Sequence, residues 1–210
     1  GGRPWREGMS GVGRLGVLRG GGSGFGEATA RMLAENGAKV ANLDLNQERG
    51  ETVAKEIGGI FSSCDVVDEK SMQSGLDAAK EAHGPGRILV NCAGIAAASR
   101  VVGRKGPHSL EMFTKIISVN LIGTFNATRL FGVDASVLDP LEDGERGVII
   151  MTASVAAFDG QIGQAAYTAS KGGIHSMTLP IAREFANFGV RICTIAPGVL
   201  LTPLMDVLPE

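Results

Sequence analysis

Apolar residues along this chain follow two alternating patterns. Short apolar runs, the strand candidates, occupy Leu15–Arg19, Lys39–Leu43, Gly59–Ser63, Ile88–Cys92, Val148–Thr152 and Val190–Ala196. Between them lie longer amphipathic stretches with helical spacing, near Gly24–Asn36, Asn46–Ile57, Glu69–His83, Ser109–Val133 and Gln164–Phe188. In the first of these, Ala28, Met32, Leu33 and Asn36 recur at helical intervals, and the following "NGA" supplies a glycine stop. Parallel strands need crossovers long enough for a helix, and those helices must cover the sheet. The alternation therefore predicts an α/β fold: a single doubly wound domain, its parallel sheet flanked by helices on both faces. Nothing resembling a linker or an internal repeat divides it, so the domain is expected to run over residues 15–210.

Composition and charge narrow the function classes. A net charge of −2 leaves no basic excess for a nucleic-acid surface. No apolar run is expected to reach the length of a membrane span. Cys64, Cys92 and Cys193 are far apart, odd in number and without a C-x-x-C, and each sits in or beside a strand candidate, which predicts buried reduced thiols in a cytosol-like compartment rather than disulfide or metal roles. His83, His108 and His175 are equally scattered, and no metal site is expected. The opening "GGRPWREGMSGVGR", residues 1–14, is basic and glycine-rich and lacks a signal-peptide apolar core, so it reads as a flexible leader or a cloning remnant.

The first strand candidate runs into "GGGSGFGEAT", in which Gly20, Gly24 and Gly26 give G-x-x-x-G-x-G at a strand-to-helix turn. Glycine permits the tight turn and lets a pyrophosphate approach the backbone, where a helix N-terminus offers free N–H groups and a positive dipole end. Asp44 closes the second strand candidate. A carboxylate there accepts hydrogen bonds from an adenosine ribose and repels a 2′-phosphate, which favours NAD over NADP. The competing reading of Asp44 is a helix N-cap, because a helix starts just after it. Asp65 follows the third strand candidate, and "VNCAG", with Asn91, Cys92, Ala93 and Gly94, closes the fourth. Both lie at carboxyl ends of strands, where open α/β sheets bind ligands.

The chain has a single tyrosine, Tyr167, in "GQAAYTASKGG". On a helix, Tyr167 and Lys171 lie one turn apart on one face. An ammonium there lowers the phenol's pKa towards working pH. Ser154 ends the apolar run "GVIIMTAS", at a strand's carboxyl end, where its hydroxyl can hold a substrate oxygen beside the phenol. The alternative for Tyr167 is a ring packed in the core.

Taken together, "GGGSGFG", "NCAG", Asn120 in "SVNLIGT", Ser154, the Tyr167-x-x-x-Lys171 pair and "APGVLLT" resemble the short-chain dehydrogenase/reductase family over nearly the whole chain. "TASVAAF", "GQAAY", "ASKGGI", "MTLPIAR" and the loop "ASRVVGRKGPHSLEMF" are similar to a subgroup that acts on 3-hydroxyacyl-CoA and is also described as acting on hydroxysteroids.

The resemblance implies a Rossmann-type fold and an NAD-dependent interconversion of a secondary alcohol and a ketone. Tyr167 would take the hydroxyl proton, Lys171 would tune the phenol and hold the nicotinamide ribose, and Ser154 would bind the reacting oxygen. Asn120 would support Lys171 through a water in a proton relay. Ser23, Phe25, Asp65, Val66, Cys92, Leu200 and Thr202 would line the cofactor, together with Pro197 and Gly198 of the P-G element. Gln161, between Ser154 and Tyr167, would contact the substrate or else be an exposed loop residue. An acyl-CoA or similar secondary alcohol is the implied substrate, a homotetramer the implied assembly, and the cytoplasm or the mitochondrial matrix the implied location. Rival readings are a reductase or hydroxysteroid dehydrogenase with another substrate, and a catalytically silent dinucleotide-binding scaffold.

Three departures from the family pattern stand out. Arg19 replaces the usual threonine before the glycine loop, whose hydroxyl ties that loop to the N-A-G segment. The fourth strand reads as about two residues short between Arg87 and Asn91. The chain stops at Glu210, where the family continues through a further helix and strand that cover the substrate and contribute to the oligomer.

Overall fold

A computed structural model describes residues 15–104 and 106–198. Six strands among them form one parallel sheet: β1 (Leu15–Arg19), β2 (Lys39–Asp44), β3 (Ile60–Ser63), β4 (Gly86–Asn91), β7 (Gly147–Thr152) and β8 (Val190–Ile195). Their spatial order is β3-β2-β1-β4-β7-β8. A two-stranded antiparallel pair, β5 (Val102–Gly103) and β6 (Gly106–Pro107), lies apart from this sheet. The helices are α1 (Gly24–Glu35), α2 (Gln47–Glu56), α3 (Glu69–His83), α4 (Leu110–Ile117), α5 (Gly123–Ser136) and α6 (Ala165–Ala186).

Strand alternation sends side chains to two separate cores. Val17, Leu43, Leu89, Ile149 and Met151 pack with Met72 and Leu76 of α3, Phe131 of α5 and Ile174 of α6. Leu18, Val40 and Val90 face the other way, against Ala30 of α1 and Val53 of α2. Removing each such side chain from water contributes roughly 1.5–3 kcal/mol. Over β8 the alternation persists, but Arg191, Cys193 and Ile195 are exposed, so Cys193 is not the buried thiol expected from the sequence.

Two predicted elements differ in the structure. The stretch read as one helix over Ser109–Val133 is broken into α4 and α5 by a π-helical turn at Ser118–Ile122. The turn buries Asn120, and Thr124 Oγ1 donates to the Asn120 carbonyl at 2.6 Å. Such a turn aims a polar side chain inward from an otherwise apolar helix. This Leu110–Ser136 stretch is also long and apolar enough to cross a membrane by length and composition, contrary to the sequence expectation. Half of its most apolar window is buried within the fold, which accounts for its hydrophobicity.

The second difference is β4, which begins at Gly86 rather than Ile88. Its register against β1 slips between Leu15 and Gly16, so Leu15 pairs with Gly86 and Gly16 with Ile88. Arg87, skipped by the ladder, donates to the carbonyls of Arg146 and Asp139 at 3.0 Å each. The strand that looked short thus spans the sheet with an irregularity at its start.

Candidate active site

The order of the strands reverses between β1 and β4, and ligands of open α/β sheets bind in the crevice above such a point. There the chain forms a cleft of about 460 Å³. Its walls include Gly20, Ser23, Gly24, Phe25 and Gly26 of the glycine turn, Asp44, Asp65 and Val66, and Cys92, Ala93 and Gly94. All of these are sequence-predicted positions. Leu43, Leu45, Cys64, Ile95, Lys115 and Val119 also line it and were not predicted.

The glycine turn is built around close backbone approaches. Gly20 has φ +83°, and a Cβ on it would lie 2.5 Å from the Ala93 nitrogen, so only glycine fits. A Cβ on Gly26 would collide with the Gly20 carbonyl. Ser23 caps α1 in an extended conformation with no side-chain cap bond, which leaves the first-turn N–H groups of α1 directed at the cleft.

Asp44 is not the N-cap of α2: Asn46 is, accepting from the Arg49 N–H at 3.1 Å. The Asp44 carboxylate instead accepts from Gly22 N–H at 3.0 Å and Asn46 N–H at 2.9 Å. One bond goes to each oxygen, so lone pairs remain for sugar hydroxyls. Donor groups at the helix start and an acceptor carboxylate at the far wall fit a dinucleotide laid along the cleft.

Ser154, Tyr167 and Lys171 lie beyond the Gly94 end. Ser154 follows β7, and its Oγ accepts from Ala156 N–H at 3.2 Å at the head of a short 3-10 turn (Val155–Ala157). Tyr167 lies in the first turn of α6 and Lys171 one turn on. Lys171 is buried, donates to the Thr152 carbonyl at 2.7 Å and sits 5.6 Å from the centre of the Tyr167 ring. Burial, followed by the charge of Arg19, lowers its pKa to about 8. The Tyr167 phenol is pushed above its ordinary value by burial, partly offset by the Ser154 hydroxyl. This is the reverse of the lowering by Lys171 expected from the sequence. Helical spacing reports where charges stand, but not the desolvation that here outweighs them.

Asn120 is fully buried, and its side chain is committed to the protein. Its Oδ1 accepts from Ile95 N–H at 2.8 Å, while Nδ2 donates to the Ile95 carbonyl at 2.9 Å and to Ser170 Oγ at 3.0 Å. Ser170 in turn donates to the Tyr167 carbonyl at 2.7 Å. Asn120 therefore braces the segment after β4 against α6 and makes no direct bond to Lys171. The two come together at Gly94, where a Cβ would lie 3.3 Å from Asn120 Oδ1 and 3.6 Å from Lys171 Nζ.

Other predicted positions fall outside the cleft. Asn91 is buried outside the cleft lining, its Nδ2 donating to Thr128 Oγ1 at 3.5 Å. Pro197 holds the end of the site by accepting from Val155 N–H at 3.0 Å, and Gly198 follows it, lining nothing in the cleft. Gln161 lies exposed, its backbone N–H bonded to Gln164 Oε1 at 3.0 Å. Leu200 and Thr202 lie outside the described residues.

Residues 16–210 match the sequence pattern of the short chain dehydrogenase family. The chain belongs to this family. It is accordingly an oxidoreductase that binds a nicotinamide dinucleotide. It is 51% identical over 202 residues to the 3-hydroxyacyl-CoA dehydrogenase type-2 of Homo sapiens, covering 94% of this chain and 77% of that protein. The 3-hydroxyacyl-CoA dehydrogenase type-2 of Drosophila melanogaster is 48% identical, with 92% and 78% covered. Among solved structures, the crystal structure of 3-hydroxyacyl-CoA dehydrogenase type-2 from Mycobacterium avium superposes with a TM-score of 0.89 at 39% identity, over 94% of this chain and 80% of the other. The 3-ketoacyl-(acyl-carrier-protein) reductase from Brucella melitensis, solved with NADH, superposes with a TM-score of 0.87 at 31% identity, over 94% and 81%.

Proposed function

We infer that the protein oxidises the 3-hydroxyl of a 3-hydroxyacyl-CoA, or a similar secondary alcohol, to the ketone, with NAD as the acceptor. The observation that carries this reading is the placement of Ser154, Tyr167 and Lys171 just beyond the Gly94 end of a cleft whose walls include Asp44. The dinucleotide supplies the hydride acceptor when bound. Ser154 Oγ holds the reacting oxygen, and Tyr167 Oη receives the hydroxyl proton as the carbonyl forms. Lys171 stands over the Tyr167 ring, while the Asn120–Ile95–Ser170 brace fixes the start of α6.

The names of relatives about half identical to this chain support a thioester substrate. Asp44 supports NAD over NADP, since a carboxylate and a 2′-phosphate would share one partly buried site. Apolar side chains on α5 and around it, Phe125, Val133 and Val137, stand 48%, 68% and 81% exposed, which supports a homo-oligomer, of tetrameric form, built partly on this helix. Unpaired Cys64, Cys92 and Cys193 suit a reducing compartment, the cytoplasm or mitochondrial matrix. The deciding assay is NADH formation from 3-hydroxybutyryl-CoA and NAD. Turnover is expected; its absence, with NADH binding intact, would turn the reading to another alcohol or to a silent scaffold.

A further inference from the structure

Arg19 closes β1, and its side chain is the largest of the fully buried ones among the described residues. Nη2 donates to the Ala93 carbonyl at 2.5 Å, and the Arg19 carbonyl accepts from the N–H groups of Cys92 and Ala93 at 2.8 Å each. A tie between β1 and the segment after β4 therefore exists, made by a guanidinium where the family has a hydroxyl. Nη1 lies against Gly123, where a Cβ would come within 2.8 Å of it and of Val66.

The remaining nitrogens, Nε and Nη1, have no hydrogen-bond partner among the described residues. None of the ion pairs among the described residues includes Arg19. The ionisable groups its charge acts on are the thiols of Cys92 and Cys64 and the ammonium of Lys171. The carboxylates of Asp44 and Asp65 act on Cys64, and neither is among the charged groups that act on Arg19. Burial lowers the Arg19 pKa to about 10, which leaves it a cation at neutral pH. A buried charge without a counterion acts at a distance, because its surroundings screen it weakly.

That charge lies behind the walls of the cleft. Cys64, Val66, Cys92 and Ala93, the groups around the guanidinium, are also walls of the cleft. A dinucleotide running from Asp44 to Tyr167 crosses them. Its pyrophosphate is anionic in both redox states, so a cation behind the walls attracts both alike. The nicotinamide ring is positive when oxidised and neutral when reduced, so the same cation opposes one form only.

We propose that Arg19 is a specificity-determining residue for the redox state of the cofactor, weighting the cleft toward the reduced dinucleotide over the oxidised one. This rests on the dinucleotide reading of the cleft. The test is the ratio Kd(NAD)/Kd(NADH), measured by calorimetry on the full chain for the parent protein, Arg19→Gln, Arg19→Met and Arg19→Lys. Gln keeps a donor for the Ala93 carbonyl without the charge, Met keeps only the stem, and Lys keeps the charge. Titrations at about pH 6.5, below the value of about 8 to which Lys171 is lowered, hold that ammonium charged throughout.

Both neutral variants are expected to lower the ratio roughly tenfold, and Arg19→Lys to stay near the parent. A folded neutral variant that weakens both dinucleotides equally, leaving the ratio unchanged, overturns the charge role and leaves Arg19 a tether for Ala93. If the neutral variants fail to melt cooperatively, the parent and Arg19→Lys decide: a parent that prefers NAD overturns it, as does a changed ratio in Lys. Failure of the parent to bind either dinucleotide overturns the cofactor reading itself.

Discussion

The Lys171 ammonium sits 5.6 Å from the centre of the Tyr167 ring and donates a hydrogen bond to the Thr152 carbonyl, at 2.7 Å. The pair is held in place by main chain at both residues: β7 supplies the acceptor for Lys171, and Ser170 bonds back to the Tyr167 carbonyl. The lysine is thus set by the sheet, while the phenol is paired with the Ser154 hydroxyl, so the two residues should fail differently when changed.

Tyr167→Phe keeps the ring and removes only the hydroxyl. Positioned proton transfer contributes roughly a hundredfold to ten-thousandfold, and turnover of 3-hydroxybutyryl-CoA should fall by that much. NADH affinity and the melting temperature should stay near the parent. Normal turnover would return Tyr167 to a packing role.

Lys171 should mark the pH dependence of stability. Burial, then Arg19, lowers its folded-state pKa from 10.5 to about 8, so its charged form is disfavoured in the folded protein. That penalty is complete below pH 8 and is relieved as pH rises from about 8 to 10.5, because there the unfolded chain binds more protons. Relative to Lys171→Met, the parent should gain up to roughly 3 kcal/mol across that window. Urea denaturation of both proteins at each end of the window measures it. Parallel pH profiles would show that Lys171 is not desolvated as described.

Asp44 should decide which dinucleotide binds. Competing titrations of NADH and NADPH should favour NADH in the parent protein. Asp44→Asn removes the charge and keeps an acceptor oxygen for only one of the Gly22 and Asn46 N–H groups, and should narrow the preference by roughly tenfold. Equal or tighter NADPH binding by the parent would overturn the assignment.

Assembly is checked by light scattering at micromolar concentration. The exposed apolar residues of α5 predict an oligomer, and Phe125→Glu should drive it towards smaller species by placing a carboxylate in the contact. A monomeric parent would refute the interface.

How much of this was legible in the sequence depended on whether the signal was local. The limits of α3 coincide with the prediction, Glu69–His83, because both stops are written in the chain. Asp68 accepts from Ser71 N–H at 2.6 Å at one end, and Gly84 turns at φ +80° at the other. The cleft walls were legible for a similar reason, since glycine turns and strand-end acids announce themselves. The π-helical turn was not, because apolar residues run through it without interruption. Arg19 was legible as an oddity, but its partner is a main-chain carbonyl far along the chain, which no side-chain pattern reveals. Cys64 and Lys115 carry no motif, and reach the cleft only through the packing of β3 and α4.

The sheet order has a consequence for how the protein is made. β1 is hydrogen-bonded to β2 on one side and to β4 on the other, and β4 is the later partner by a wide margin. On a ribosome, the β3-β2-β1 half can pair while β1 still presents an unsatisfied edge. The glycine turn acquires its opposite wall only after Ala93 has emerged, donated its N–H to the Arg19 carbonyl and accepted from the guanidinium. Pairings so distant in sequence slow folding, and an open parallel edge invites association meanwhile. Pairing β4 with β1 both satisfies that edge and brings Ala93 against the glycine turn, so closing the edge and building the crevice are one event.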